Sequence, residues 1–146
     1  MKKLFLLIAG VVVLSSSSFA QVTDTTQVDI ANLQVLPTFP GGFPEMYKFI
    51  GTNMQYPLVA SEAKVDGKVM VGFAVSATGE LSNFKVDKSS YLAVKNEAPS
   101  RKLAFDALDN EALHIMKLMP KWIPGKAEEK AVNVRKLVIP VSFRLK

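Results

Sequence analysis

The chain carries a single histidine, His114, and no cysteine. One imidazole cannot make a zinc site, and no suitable ligand recurs at i+4 around it. A Ser-His-Asp arrangement would have to use His114. The candidate serines Ser89, Ser90 and Ser100 fall in a charged segment, and none sits in the strained strand-to-helix turn that exposes a nucleophile. Asp106, Asp109 and Glu111 cluster, and paired carboxylates can serve acid–base chemistry. They coincide with a predicted helix start, where Asp106 or Asp109 would cap orphan N–H groups. Glu128 and Glu129 read as solvated. Gly41-Gly42 before a helix could cradle an anion, but no Lys-Ser/Thr follows. Trp122, between Pro120 and Pro124, reads as a core anchor. These residues assemble no catalytic, metal or cofactor set, so a non-enzymatic chain without cofactors is expected.

The remaining chemistry is that of the main chain. Residues 131–145 read as the last strand, with Val132 and Val134 in one phase and Leu137, Ile139, Val141, Phe143 and Leu145 in the other. The phase change near Arg135-Lys136 predicts a bulge or bend. Pro140 cannot donate to a ladder, so part of this strand must lie at a sheet edge or bulge. An edge presents a row of unpaired N–H and C=O groups. Lys126, Lys130, Arg135, Lys136 and Arg144 discourage self-pairing and favour an incoming extended peptide, an acidic one above all. The alternative cover for the edge is the chain's own N-terminal arm or a second copy, a homodimer.

Other elements must hold that strand in place. Pro44 suits a first helical position, and Phe43, Met46, Tyr47, Ile50 and Met54 follow at helical spacing. Pro57 starts a second short helix in the same way, with Tyr56 extended before it. From Gly67 the period becomes two: Val69, Val71, Phe73 and Val75 point one way, and Lys68, Met70, Gly72 and Ala74 the other. A short loop containing Gly79 then returns the chain as a partner strand over residues 81–87, a β-hairpin. Residues 88–103 read as a long exposed loop. Leu108, Ala112, Ile115, Met116 and Met119 form one face of a third helix, which Pro120 ends. The fold class is α+β: a small antiparallel three-stranded sheet with helices packed on one face.

The 146 residues suffice for one domain. Lys2 and Lys3, an apolar run over residues 4–14 and Ser18-Phe19-Ala20 have the form of a secretory signal peptide over residues 1–20. The run is shorter than the roughly 20 residues a spanning helix needs. Cleavage would start the mature chain at Gln21 and lower the formal net charge from +5 to +3 by removing Lys2 and Lys3. An uncleaved inner-membrane anchor is the alternative. Residues 21–36 are polar and read as a flexible linker or arm, with the folded unit over residues 37–146. Eight basic residues lie between Lys117 and Lys146. On an exported chain they read as a solvated face rather than a nucleic-acid site. Without cysteine, stability must come from the packed core.

Several pieces in order resemble the TonB C-terminal domain family. They are Tyr56-Pro57, the Gly67-x-Val69-x-Val71-x-Phe73-x-Val75 strand, Gly79, Leu108-Asp109-x-Glu111-Ala112, Met119-Pro120-Lys121-Trp122-x-Pro124-Gly125-Lys126 and Leu137-x-Ile139-Pro140-Val141-x-Phe143. Phe39-Pro40-Gly41-Gly42 is similar to a subgroup with an extra N-terminal helix. The resemblance implies a periplasmic domain that grips the TonB box of a TonB-dependent outer-membrane transporter by β-augmentation. It also implies a link to an inner-membrane proton-driven motor complex. On matching positions, the peptide-pairing strand would comprise Val132, Asn133, Val134, Arg135, Lys136, Leu137 and Val138, flanked by Gln55, Tyr56 and Pro57. The chain departs from that pattern in its cleavable-looking signal, its long 88–103 segment and its short linker. The 16 residues of that linker reach at most roughly 55 Å. A soluble periplasmic adaptor that binds another envelope protein is therefore the second reading. Mass spectrometry of the mature N-terminus separates the two: Gln21 favours the adaptor, and an intact Met1 the transducer.

Overall fold

The structure is a computed structural model and describes residues 27–90 and 101–146. The signal-like stretch 1–20, residues 21–26 of the arm and most of the expected 88–103 loop lie outside the described residues. In chain order the elements are β1 (Gln27–Val28), a single 3-10 turn (Ile30–Asn32), α1 (Gly42–Asn53), α2 (Leu58–Glu62), β2 (Gly67–Val75), β3 (Leu81–Lys88), α3 (Lys102–Leu118), β4 (Lys126–Ala127), β5 (Lys130–Ala131) and β6 (Asn133–Phe143).

The alternation that starts at Gly67 becomes β2, the central strand. β3 and β6 both pair with it antiparallel, which makes the three-stranded sheet expected from the hydrophobic pattern. The two-residue β1 adds a fourth strand, parallel to β6, so the order is β1-β6-β2-β3. Val69, Val71, Phe73 and Val75 of β2 and Ile139, Val141 and Phe143 of β6 face the helices and are buried. Met46 and Ile50 of α1, Ala60 of α2, and Phe105, Leu108, Ala112, Ile115 and Met116 of α3 close over them. The opposite sheet face is exposed at Lys68 and half-buried at Met70.

Trp122 is the core anchor its flanking prolines suggest. Its ring meets Phe73 edge-on at 5.1 Å and Phe39 at 6.1 Å. Its main-chain N–H donates to the Gly79 carbonyl at 2.8 Å. This close approach explains the glycine: φ at Gly79 is +84°, and a Cβ there would stand 1.9 Å from the Trp122 carbonyl oxygen. A second fixed point is Tyr56, whose ring meets Phe143 edge-on at 6.0 Å while its hydroxyl donates to the Val65 carbonyl.

Some expectations are corrected. α3 begins at Lys102, with Arg101 as its N-cap, so neither Asp106 nor Asp109 caps it. The first helical turns are supplied by Leu103, Ala104 and Phe105, which the charged composition of the preceding segment obscured. Asp106 instead pairs with Lys102 one turn away at 2.7 Å. Asp109 accepts hydrogen bonds from the Ser89 hydroxyl and from the N–H and hydroxyl of buried Ser90, which ties the end of β3 to the helix. Lys88 belongs to β3. The last strand starts at Asn133 and ends at Phe143, not over residues 131–145. Residues 126–131 form a hairpin, with Glu128 and Glu129 both at positive φ. That is the backbone a two-residue hairpin turn demands, usually met by Asn-Gly. α1 begins at Gly42, with Pro44 still inside its first turn. Of the apolar stripe on that helix, Met46 and Ile50 are buried, but Phe43 and Tyr47 are exposed.

Two predictions follow from the packing. Gly79→Ala adds a steric clash to an unfavourable φ and should cost about 2 kcal/mol or more. Urea unfolding followed by the fluorescence of Trp122, the sole tryptophan, measures it, and an unchanged midpoint would refute the close approach. Tyr56→Phe keeps the ring contact, loses one hydrogen bond and should cost about 1 kcal/mol. Burial, and then the Asp66 charge, raise the Tyr56 phenol above its ordinary value, so the neutral phenol favours the fold. That contribution is complete below about pH 10 and is lost as pH rises through the raised folded value. Above about pH 10 the parent protein should lose stability more steeply than the Phe variant, read from the urea midpoint against pH.

Candidate peptide-docking edge

β6 is built as a strand held from one side. Its ladder with β2 runs from Gly67↔Phe143 to Val75↔Val134. Phe73 pairs with Leu137 and Val75 with Val134, so β6 carries one extra residue between them. The bulge therefore falls at Arg135-Lys136, where the phase change in the sequence placed it. On the other side, β1 covers only Asn133 and Val134. Among the described residues no strand pairs with the outer side of β6 beyond Val134.

Pro140 sets which groups face outward. It stands opposite Met70 and has no N–H to give. It suits the alternate ladder position whose groups turn away from the neighbouring strand. By alternation the N–H and C=O of Val138 and Ser142 also turn away from β2. The usable edge therefore extends past Val138 toward Ser142, and Pro140 was the signal in the sequence that could have located it.

The predicted site residues share one strand but not one place. Val132 precedes β6, its N–H donating to the Gly125 carbonyl at 3.0 Å. Asn133 opens the strand, and its side-chain oxygen accepts the Ala77 N–H at 2.8 Å, which fixes the 76–80 loop against it. Val134 is buried. Arg135 and Lys136 are exposed, and Leu137 and Val138 half-buried. Gln55, Tyr56 and Pro57 lie at the opposite end of β6, where Tyr56 packs on Phe143. The five residue steps from Val138 to Phe143 span about 17 Å, so the turn flanks the C-terminal end of the edge and not residues 132–138. It is pinned there by the Gln55 N–H donating to Glu111 Oε1 at 2.9 Å. Beside it opens a hollow of about 440 Å³ lined by Gly51, Met54, Tyr56, Ser61 and the terminal residues 144–146.

The sheet face between β6 and β3 carries basic side chains. Lys85, Arg135 and Lys136, with Asn83 and Phe73, line a hollow of about 330 Å³. Gly72 leaves room under it for the Lys136 and Lys85 stems. Lys136 also pairs with Asp87. The hydrogen bond from Lys136 holds the Asp87 carboxyl below the usual carboxylate range, and the nearby Lys85 charge adds to this. An acidic extended segment would meet favourable charge here at low salt. His114, the lone imidazole, lies on α3 with Nδ1 3.4 Å from Glu111 Oε2. Among the described residues no three of His, Asp and Glu converge as metal ligands, and no helix is long and apolar enough to cross a membrane.

The family model described as Gram-negative bacterial TonB protein C-terminal matches residues 52–145, which takes in every element from α2 to β6 and leaves the arm and nearly all of α1 outside. A solved structure similar to this chain is the NMR solution structure of Helicobacter pylori TonB-CTD, residues 179–285. It is 29% identical, with 73% of this chain and 87% of that chain covered and a TM-score of 0.45. A second, the same domain from residues 194–285, is 26% identical, with 70% and 92% covered and a TM-score of 0.37. No curated protein matches. With the greater part of its length matched, the chain belongs to the family of Gram-negative bacterial TonB protein C-terminal domains.

Proposed function

We propose that this chain is a periplasmic docking module. It takes the TonB box of an outer-membrane transporter onto the outer edge of β6 by strand addition, and it takes part in energised transport across the outer membrane, with an inner-membrane proton-driven motor complex as its source of work. Family membership supports the transport class. The observation that carries the docking step is the outer side of β6 beyond Val134, with which no strand among the described residues pairs.

The chemistry needed is modest. A guest strand offers N–H and C=O groups to those of residues 132–138 and onward to Ser142. About four such bonds at roughly 0.5–1.5 kcal/mol each give a few kcal/mol, which suits a contact made and broken in each transport cycle. Arg135, Lys136 and Lys85 add steering toward acidic segments, an effect that weakens with salt. The Gln55-Tyr56-Pro57 turn closes the C-terminal end of the edge and limits the length of guest that fits. No covalent step and no cofactor is required.

Val138→Pro tests the docking step. Val138 turns its N–H outward, and Pro140 already occupies the equivalent position two residues on, so the β2 ladder should survive. Val134 is unsuitable because it is buried and pairs with Val75. A synthetic TonB-box peptide from a transporter of the same genome should bind the variant about tenfold more weakly, as the loss of about one bond predicts. Amide shifts of the labelled chain should move along β6 in the parent protein. Equal binding by both forms, or shifts confined to another surface, would refute strand addition on β6.

A further inference from the structure

The start of the docking edge is already occupied by the chain itself. Gln27 and Val28 lie parallel to Asn133 and Val134 as a fourth strand. Their position follows from the next contacts downstream. The Val35 N–H donates to the Lys126 carbonyl at 3.2 Å, and the Lys126 N–H to the Val35 carbonyl at 2.9 Å. Thr38 exchanges the same pair of bonds with Ile123. Gly125 packs so closely on Pro37 that a Cβ there would stand 3.0 Å from the proline ring. The Val132 N–H meets the Gly125 carbonyl, so the arm leaves its anchor beside the first residues of β6.

Upstream of that anchor the arm is weakly held. The 3-10 turn Ile30–Asn32 buries no residue. Ile30 is 43% exposed, and Val28 is only half-buried. Releasing β1 breaks a two-residue pairing and disturbs neither the aromatic core nor the Pro37 anchor. Segments with so few buried contacts open at the low end of a protein's stability range. The arm is nevertheless tethered a few residues from its target, so its effective concentration there is of the order of millimolar.

We infer that Gln27–Val28 is a built-in competitor for the docking edge: the arm holds the first residues of β6 and must leave before a transporter peptide can pair along its full length. The inference rests on the docking reading above and adds its regulation. An edge that is vacant only part of the time lowers the apparent affinity by the vacant fraction. It also protects the start of β6 from pairing with a second copy.

The test compares the full mature chain with its Val28→Pro form and with a Gln27→Gly/Val28→Gly form, since either change weakens β1 without entering the core. Two probes are titrated: a synthetic TonB-box peptide and a peptide of sequence DTTQVDI, copied from residues 24–30. Both altered forms should bind the TonB-box peptide about tenfold more tightly than the parent, as expected for an arm docked about nine-tenths of the time. The arm peptide should bind the altered forms in preference to the parent. Amides in the 133–135 stretch should exchange faster once β1 is weakened, while those of Val69 and Val71 stay protected. Equal affinities with unchanged exchange at 133–135 would overturn the competitor and leave docking intact. Binding of the TonB-box peptide to none of the three forms would overturn docking and the competitor together.

Discussion

The arrangement rests on one ladder, the pairing of β6 with β2. It is anchored by side chains that leave the sheet on one face only. Val69, Val71 and Phe73 interleave with Ile139, Val141 and Phe143 beneath α3. Burial of this kind is the dominant favourable term in a chain without cysteine. Because β2 satisfies β6 from one side and the core grips its side chains, the strand keeps its extended shape without a full neighbour on the other side. A docking strand needs that preorganisation: its ordering cost is met by folding and not at the moment of binding.

The aromatic cluster does related work at the other end. The Trp122 ring touches Phe73 of β2 and Phe39, and its main-chain N–H donates to the Gly79 carbonyl. One residue thus joins β2, the β2–β3 loop, the segment before α1 and the stretch leading to β4. That stretch carries the 126–131 hairpin, and the hairpin sets both where β6 begins and where the N-terminal arm is delivered. The Trp122 Nε1 is buried without a partner among the described residues, a cost of about 1–3 kcal/mol set against three packed rings. The position of the edge and the position of its competitor therefore share one cause.

Much of this was legible in the residues. The period-two run from Gly67 reads directly as a half-buried strand, because a one-residue slip would put Lys68 in the core. The phase change at Arg135-Lys136 is a bulge because the pleat leaves no other way to switch faces. Pro140 marks an edge because it has no N–H. What was not legible came from contacts between distant parts of the chain. Asp109 looked like a cap because Asp near a helix start usually is one. Its real partners, Ser89 and Ser90, lie across a segment whose path no local pattern reveals. The Glu128-Glu129 turn defied reading because glutamate seldom adopts positive φ, and here the short β4–β5 pairing overrides that preference. Gln27 and Val28 sit in a polar stretch with no strand alternation, so only the geometry of the Val35–Lys126 anchor places them on β6. The Gln55-Tyr56-Pro57 turn packs at the Phe143 end of β6, and the spacing along the chain does not say which end of β6 meets Tyr56.

The central claim is that the outer side of β6 lacks a strand neighbour beyond Val134. Residue-resolved amide exchange on the unliganded monomer tests it most directly. Ile139 and Val141, turned toward β2, should exchange slowly, and Val138 and Ser142, turned outward, should exchange at near-solvent rates. Uniformly slow exchange across Val138, Ile139, Val141 and Ser142 would mean that the edge is already filled, and would contradict the account.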